Sequence, residues 1–201
     1  KANAISAAAS RALGEAFATL RDDPSLLVGI VTGGGDKFFS AGWDLKAAAE
    51  GDSTDYGVGG FAGNTEMFDL DRPLIAAVNG ITVGGGFEIA ACCDIRLCGE
   101  ASRFGAPIAK LGFPMAPGEL LVVARIAPEP VLREMLLEAR LLGATAALRH
   151  GLVHAVFADD ELAVAGDRFG GLRRRESGDE CGADDAGGEQ HPAGAPSRRG
   201  T

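Results

Sequence analysis

A chain of 201 residues with 46% apolar content is long enough to bury a real core as about one domain. Its net charge of −9 argues against a nucleic-acid partner or a general anionic membrane surface, because phosphate binding needs basic groups. No apolar run nears the roughly 20 residues of a membrane span. The opening "KANAISAAAS" lacks the apolar stretch of a signal peptide. The four cysteines form no CxxC pair, and the three histidines are not at ligand spacing with them, so no metal is expected. A reducing, cytoplasmic setting follows, with Cys92, Cys93 and Cys98 as small core residues.

Residues 6–21 read as a helix, with Ala9, Leu13, Phe17 and Leu20 on one face and "RDDP" ending it. "LLVGIVTG" (26–33) reads as a buried strand closing in a glycine turn, and "GGGDKFFSAGWDLKAAAE" as a loop feeding a short helix. The Gly-rich stretch 51–63 reads as a mobile surface loop. "PLIAAVNG" (73–80) is a second buried strand, the glycine run 84–86 opens a buried helix, and "DIRLCG" is a third strand. Two helices joined at Gly143, a short strand at "VHAVF" and a helix at "DDELAVAGDRF" complete the order. Strand, helix and strand in this sequence predict an α/β fold with crossovers.

The character changes near Phe169. Residues 169–201 have almost no large apolar side chains, so 1–168 reads as the folded domain and 169–201 as a polar, disordered tail. The helical pattern stops so abruptly that a shifted reading frame is favoured over a natural flexible tail. The chain also starts with Lys, inside what reads as an element.

The stretch "NGITVGGGFEIAACCDIR" carries the sharpest chemical signal. A dinucleotide fingerprint starting at Gly84 would need a small residue where Ile89 stands, and no GxxxxGK[ST] loop occurs. No nucleophile elbow occurs, and no histidine is placed to activate a cysteine or serine. His150 and His154 read as surface or satisfied core groups. Glycines at a helix start, in contrast, let a ligand approach backbone N–H groups where the helix dipole favours negative charge. That arrangement builds an oxyanion site from backbone alone. Glu88, in the first turn, would be held ionised by the same dipole and could act as a base. The plain alternative is that the glycines serve tight packing and Glu88 is an ordinary N-terminal helix charge. "KFFSAGWDLK" (37–46) adds a second glycine turn after a strand, so that two turns could each supply one N–H.

Taken together, "KANAI", "FFSAGWDLKAAAEG", "PLIAAVNGITVGGGFEIAACCDIRLC", "ASRFGAPIAKLG" and "EMLLEARLLGATAALRHGLV" resemble the crotonase (enoyl-CoA hydratase/isomerase) superfamily, from residue 1 to about 165. The resemblance implies a ClpP-like spiral of ββα units, assembled as a trimer or a dimer of trimers. It implies an acyl-CoA thioester substrate, with coenzyme A carried by the substrate and no separate cofactor. The enolate oxygen would be held by the N–H groups of Trp43 and Gly85. Ala41, Asp44, Leu45 and Lys46 would line the CoA channel, Lys1 and Ala2 would lie near its adenine end, and Gly84, Pro107 and Ile108 would also bind the substrate.

Hydratases of this family use two glutamates, one activating water and the other handling the proton at the α-carbon. Glu88 matches the first, but the second position, in "FGAPIAKLG", is Ile108, which can neither move a proton nor hold water. The following Pro-x-x-Gly-Gly turn reads "FPMAPGEL" here. Its Glu119 reads as a solvated loop charge, with a swing into the site as the alternative. Asp44 reads as the anchor of its turn. Measured against the family, the N-terminal strand pair is missing and the trimer-forming C-terminal helices are replaced by the polar tail. Three functions follow from the resemblance: a hydratase/isomerase-type reaction, a one-carboxylate reaction (decarboxylation, double-bond shift or thioester hydrolysis), or an acyl-CoA binder without turnover.

Overall fold

The computed structural model describes residues 1–112 and 114–171. The chain opens with helix α1 (Ala7–Asp22), capped by the Ser6 hydroxyl, which accepts from the Ala9 N–H. Its buried stripe is Ala7, Ser10, Gly14, Phe17 and Leu20, so the packing face is turned slightly from the one expected, and Ala9 and Leu13 lie at its margin.

Two strands follow, β1 (Gly29–Thr32) and β2 (Phe38–Ser40), then the short helix α2 (Leu45–Ala49). The next turn of the spiral is β3 (Leu74–Val78), β4 (Ile81–Val83) and α3 (Gly85–Cys92). The third begins with β5 (Ile95–Gly99) and β6 (Arg103–Gly105), then a 3-10 turn over Pro107–Lys110 and α4 (Pro117–Ala124). α5 (Glu129–Leu137), β7 (Leu142–Gly143), α6 (Ala144–Arg149), β8 (Ala155–Phe157) and α7 (Leu162–Gly171) complete the order.

Strands β1 to β6 alternate between two sheets, and β7 and β8 add one strand to each. One sheet has the order β1-β3-β5-β8 and is parallel throughout. The other has the order β2-β4-β6-β7, parallel except for β7. Each pair of strands therefore leaves one in each sheet, and the helices close the turns, which is the expected spiral of ββα units. β3 sits second in its sheet and is buried at every residue, which is why "LIAAV" is a continuous apolar run. The main core joins Phe39, Val78, Phe87, Ile89, Phe104, Met135 and Leu152. Phe87 and Phe104 meet edge to face, with ring centroids 6.4 Å apart.

Several expectations are corrected. β1 is shorter than the predicted strand and lies at a sheet edge, so Ile30 is 40% exposed and Leu26 and Leu27 are exposed ahead of it. The predicted loop before α2 contains β2, which three residues of "FFS" are enough to form because β4 pairs with them. The segment 51–63 is not a free surface loop. The buried Ser10 hydroxyl donates to the Tyr56 and Gly60 carbonyls and accepts from the Ala62 N–H, pinning the segment to α1. β4, β6 and α4 had no expectation of their own: the two strands have three residues each, below the length at which alternation is readable.

Cys93 and Cys98 are core residues as expected, while Cys92 is half-buried. Burial pushes the Cys93 and Cys98 thiols up to about 12. His154 accepts the Arg96 N–H through Nδ1 at 3.0 Å, a structural role. The polar tail was expected from residue 169, but α7 runs on to Gly171; Cys181 and the remainder of the tail lie outside the described residues.

Candidate active site

The turn after β2 is held from below by the first residues of the chain. The Ala41 N–H donates to the Ala2 carbonyl at 3.0 Å, and the Ile5 N–H to the Gly42 carbonyl at 2.8 Å. The Asp44 N–H in turn donates to the Ile5 carbonyl at 3.0 Å. Ser40 completes the strap: its hydroxyl donates to the Asn3 carbonyl and accepts from the Gly42 N–H. Asp44 caps α2 by accepting from the Lys46 and Ala47 N–H groups, so it anchors its turn as expected. Among the described residues, the Trp43 N–H, between these tied amides, donates to no protein group.

The three glycines opening α3 serve three different needs. Gly84 has φ +55° and ψ −129°, a conformation that side-chain-bearing residues avoid. A β-carbon on Gly85 would stand 2.6 Å from the Phe61 ring, and one on Gly86 would stand 2.2 Å from the Ser40 carbonyl oxygen. The helix start is thus pressed against both the turn and the pinned segment. The Gly84 N–H donates to Gly105 O, whereas the Gly85 N–H, first in α3, has no acceptor among the described residues. Both residues with free amides therefore border one place, at the adjoining turns that follow two neighbouring strands of one sheet, β2 and β4.

That place is a cavity of about 400 Å³. Trp43, Gly84, Gly85 and Glu88 line it from the two glycine turns and α3, and Leu45, Tyr56 and Phe61 from α2 and the pinned segment. Ile108, Leu111, Pro114 and Met115 line it from the segment before α4, and Glu119 borders it from α4. Tyr56 and Phe61 pack edge to face with centroids 5.4 Å apart.

Of the residues expected at the site, Ala41, Trp43, Leu45, Gly84, Gly85, Glu88 and Ile108 line this cavity. Asp44, Lys46, Lys1, Ala2 and Pro107 do not. Lys46 points outward and pairs with Glu50 at 3.8 Å, while Ala2 supports Ala41 through its carbonyl. Tyr56 and Phe61 were missed because they sit in a Gly-rich stretch with no periodicity. Met115 and Leu111 were missed because nothing in their local pattern signals a wall.

Glu88 is 6% exposed, and among the described residues its carboxyl makes no hydrogen bond. Burial first, and the negative charge of Glu119 second, push it up to about 7. The expected dipole-held carboxylate is therefore corrected. A helix N-terminus favours the charge by about 0.3–1 kcal/mol. The opposing shift corresponds to roughly 3 kcal/mol, so desolvation wins.

Glu119 is exposed, as expected, but it belongs to a helix and not to a loop. It is the third residue of α4, and its Oε2 accepts from the Ala116 N–H at 2.8 Å. Its carboxylate also borders the cavity that holds Glu88. Among the described residues, no group of three or more His, Cys, Asp or Glu side chains is arranged to hold a metal ion, and no helix is long and apolar enough to cross a membrane.

Two sheets wound strand by strand, with two glycine turns meeting at a cavity, define a crotonase-type α/β spiral. Residues 1–165 match the enoyl-CoA hydratase/isomerase family, and the chain belongs to it. It is 54% identical over 164 residues to a carnitinyl-CoA dehydratase of Salmonella typhi, covering 81% of this chain and 63% of that protein. Among solved structures it is similar to a carnitinyl-CoA hydratase from Mycobacterium avium, with TM-score 0.77, 36% identity, and 83% and 64% of the two chains covered. An enoyl-CoA hydratase/carnithine racemase from Magnetospirillum magneticum gives TM-score 0.72 and 33% identity, over 84% of this chain and 65% of that one. The chain thus spans a little under two thirds of the length of these relatives.

Proposed function

We propose that this chain binds an acyl-CoA thioester and stabilises the enolate formed from it, as a hydratase/isomerase-type enzyme. The observation that carries this reading is the pair of unpaired amides, Trp43 and Gly85, bordering the same cavity as one buried carboxyl. Loss of the α-proton places negative charge on the thioester oxygen. Two preorganised N–H donors stabilise that charge far more than they stabilise the neutral thioester. With Ile108 at the position that would handle the α-proton, Glu88 takes or delivers that proton on this reading, in place of the water-activating role the resemblance implied. Its raised pKa matches proton transfer near neutral pH, because neither protonation state is far out of reach there.

On this reading Ala41 and Leu45 guide the pantetheine arm, and Gly84 and Ile108 border the acyl group. Lys1, Ala2, Asp44 and Lys46 lie outside the cavity and are assigned to the CoA side, while Pro107, also outside it, opens the 3-10 turn that carries Ile108. The relatives' name supports a carnitinyl-type acyl group. The cavity lining is compatible with it, since Trp43, Tyr56 and Phe61 beside the Glu119 carboxylate suit a cationic acyl end.

A second reading rests on Ile108. With isoleucine at that position, the single buried carboxyl would serve a decarboxylation, a double-bond shift or a thioester hydrolysis through the same pair of amides. Exchange of the α-hydrogens of butyryl-CoA with D2O, followed by NMR, tests what all but hydrolysis share. Exchange that is lost in Glu88→Gln is expected. Exchange that persists in that variant removes Glu88 from the mechanism, and no exchange in the wild type overturns the enolate reading.

A further inference from the structure

Building on the enolate reading, we infer that Glu119 supplies the second carboxylate of a water-adding site, in place of the group absent at Ile108. The two acidic side chains reach one cavity from different elements, Glu88 from the first turn of α3 and Glu119 from the first turn of α4. α3 and α4 pack against each other, so the approach is set by helix contact and not by a loop. Glu88 is more than nine-tenths buried with no hydrogen-bond partner for its carboxyl among the described residues, which leaves it directed at the cavity and whatever fills it. Glu119 is anchored differently. One of its oxygens, Oε2, accepts from the Ala116 N–H, which fixes the side chain in an acceptor orientation and leaves Oε1 without a protein donor. Burial also separates the two groups chemically: the apolar pocket keeps a proton on Glu88, while Glu119, open to solvent and bonded to an N–H, is the charged partner that raises it.

The roles follow from that difference and are the reverse of those the resemblance implied, in which Glu88 would activate the water and the residue at position 108 would handle the α-proton. A water between the two carboxyl groups gives a proton to Glu119 as its oxygen bonds to the β-carbon of a 2-enoyl thioester. The double-bond electrons pass to the thioester oxygen, held by Trp43 and Gly85. The enolate then collapses, and the α-carbon takes the proton from Glu88. One water has been added across the double bond, and the proton on Glu119 returns to Glu88 through solvent. Ile108 forms an apolar side of the same cavity and takes no part in the proton transfers.

The test separates this proposal from the reading beneath it. Butyryl-CoA α-hydrogen exchange requires only the amides and Glu88; hydration of crotonyl-CoA requires Glu119 as well. Glu119→Gln keeps an oxygen for the Ala116 N–H, so the helix start is preserved, and an unchanged thermal melt checks this. The expected result is hydration down by at least about 100-fold, with exchange changed far less, only as loss of the Glu119 charge lets the Glu88 pKa fall back. Glu119→Asp should recover part of that loss. Ile108→Glu in the Glu119→Gln background should restore hydration, because it puts a carboxylate back at the same cavity. Hydration unchanged in Glu119→Gln overturns the proposal alone, as does exchange and hydration falling together, which would mark a structural role. A wild type that exchanges without hydrating overturns it too. A wild type that does neither overturns the enolate reading and this proposal with it.

Discussion

A β-carbon on Gly42 would stand 2.5 Å from the Gly85 nitrogen. The turns carrying the two free amides therefore touch through bare backbone, and the distance between their N–H groups is set by that contact. Gly42 also has φ +82°. Gly42→Ala should thus strain its own backbone by about 1–2 kcal/mol and push the turns apart. If the pair works as an anion hole, displacing one donor should slow α-proton exchange by about 100-fold, on the order of 3 kcal/mol. Exchange rates beside urea unfolding curves measure both parts. A variant that loses stability but keeps its exchange rate would show that the contact matters for packing alone.

Glu88 should make stability depend on pH. Its pKa rises from the ordinary 4.5 to about 7 in the folded chain. Between these values the folded state binds more protons than the unfolded one, so stability falls as pH rises through this window. The penalty is absent at pH 4 and complete above pH 7, at about 3 kcal/mol. Glu88→Gln removes the charge and keeps the shape. It should therefore match wild type near pH 4 and exceed it at pH 8, by up to about 3 kcal/mol in urea unfolding. A constant difference between the two proteins at both pH values would show that burial of the charge is not what shifts Glu88.

The core offers a test of the spiral itself. Phe87 and Phe104 are each 1% exposed and come from different turns, α3 and β6. Phe87→Ala should cost about 3–5 kcal/mol, and more if the edge-to-face contact with Phe104 is also lost. Equilibrium unfolding of Phe87→Ala, Phe104→Ala and the double variant gives the coupling between them. Additive losses would mean that the two rings do not support each other across the turns.

The legible parts of this molecule were those with a strong local cause. "PLIAAVNG" announced a strand because β3 is flanked on both edges and buried on both faces. The glycine run announced a close approach, and each of Gly84, Gly85 and Gly86 has a backbone or contact reason to lack a side chain. Glu88 was visible as a site residue, but its protonation was not. A first-turn position predicts the dipole, whereas desolvation depends on tertiary burial, in a cavity that Ile108, Met115 and Phe61 also line from distant segments. Glu119 was seen in sequence without the helix that carries it, because "FPMAPGEL" reads as a turn until α3 gives α4 a surface to pack on. Tyr56 and Phe61 had no local signal, since their placement is decided by the hydroxyl of Ser10 about fifty residues earlier.

That hydroxyl is a test of how the cavity wall is held. Ser10 is fully buried, and its Oγ lies 2.9 Å from the Tyr56 carbonyl, 3.2 Å from the Gly60 carbonyl and 2.9 Å from the Ala62 nitrogen. Ser10→Ala leaves a buried N–H without an acceptor, at about 1–3 kcal/mol. The loss should be felt locally, because α1 keeps its other buried residues Phe17 and Leu20 while the segment carrying Tyr56 and Phe61 loses its anchor. For an acyl-CoA substrate the expectation is a KM raised by roughly fivefold with kcat within about twofold, since the wall contributes binding and the amides and Glu88 are untouched. Hydrogen exchange should speed up at 56–62 and not in β3. A fall in kcat with unchanged KM would instead tie Ser10 to the reacting end of the cavity, through the contact of Phe61 with Gly85.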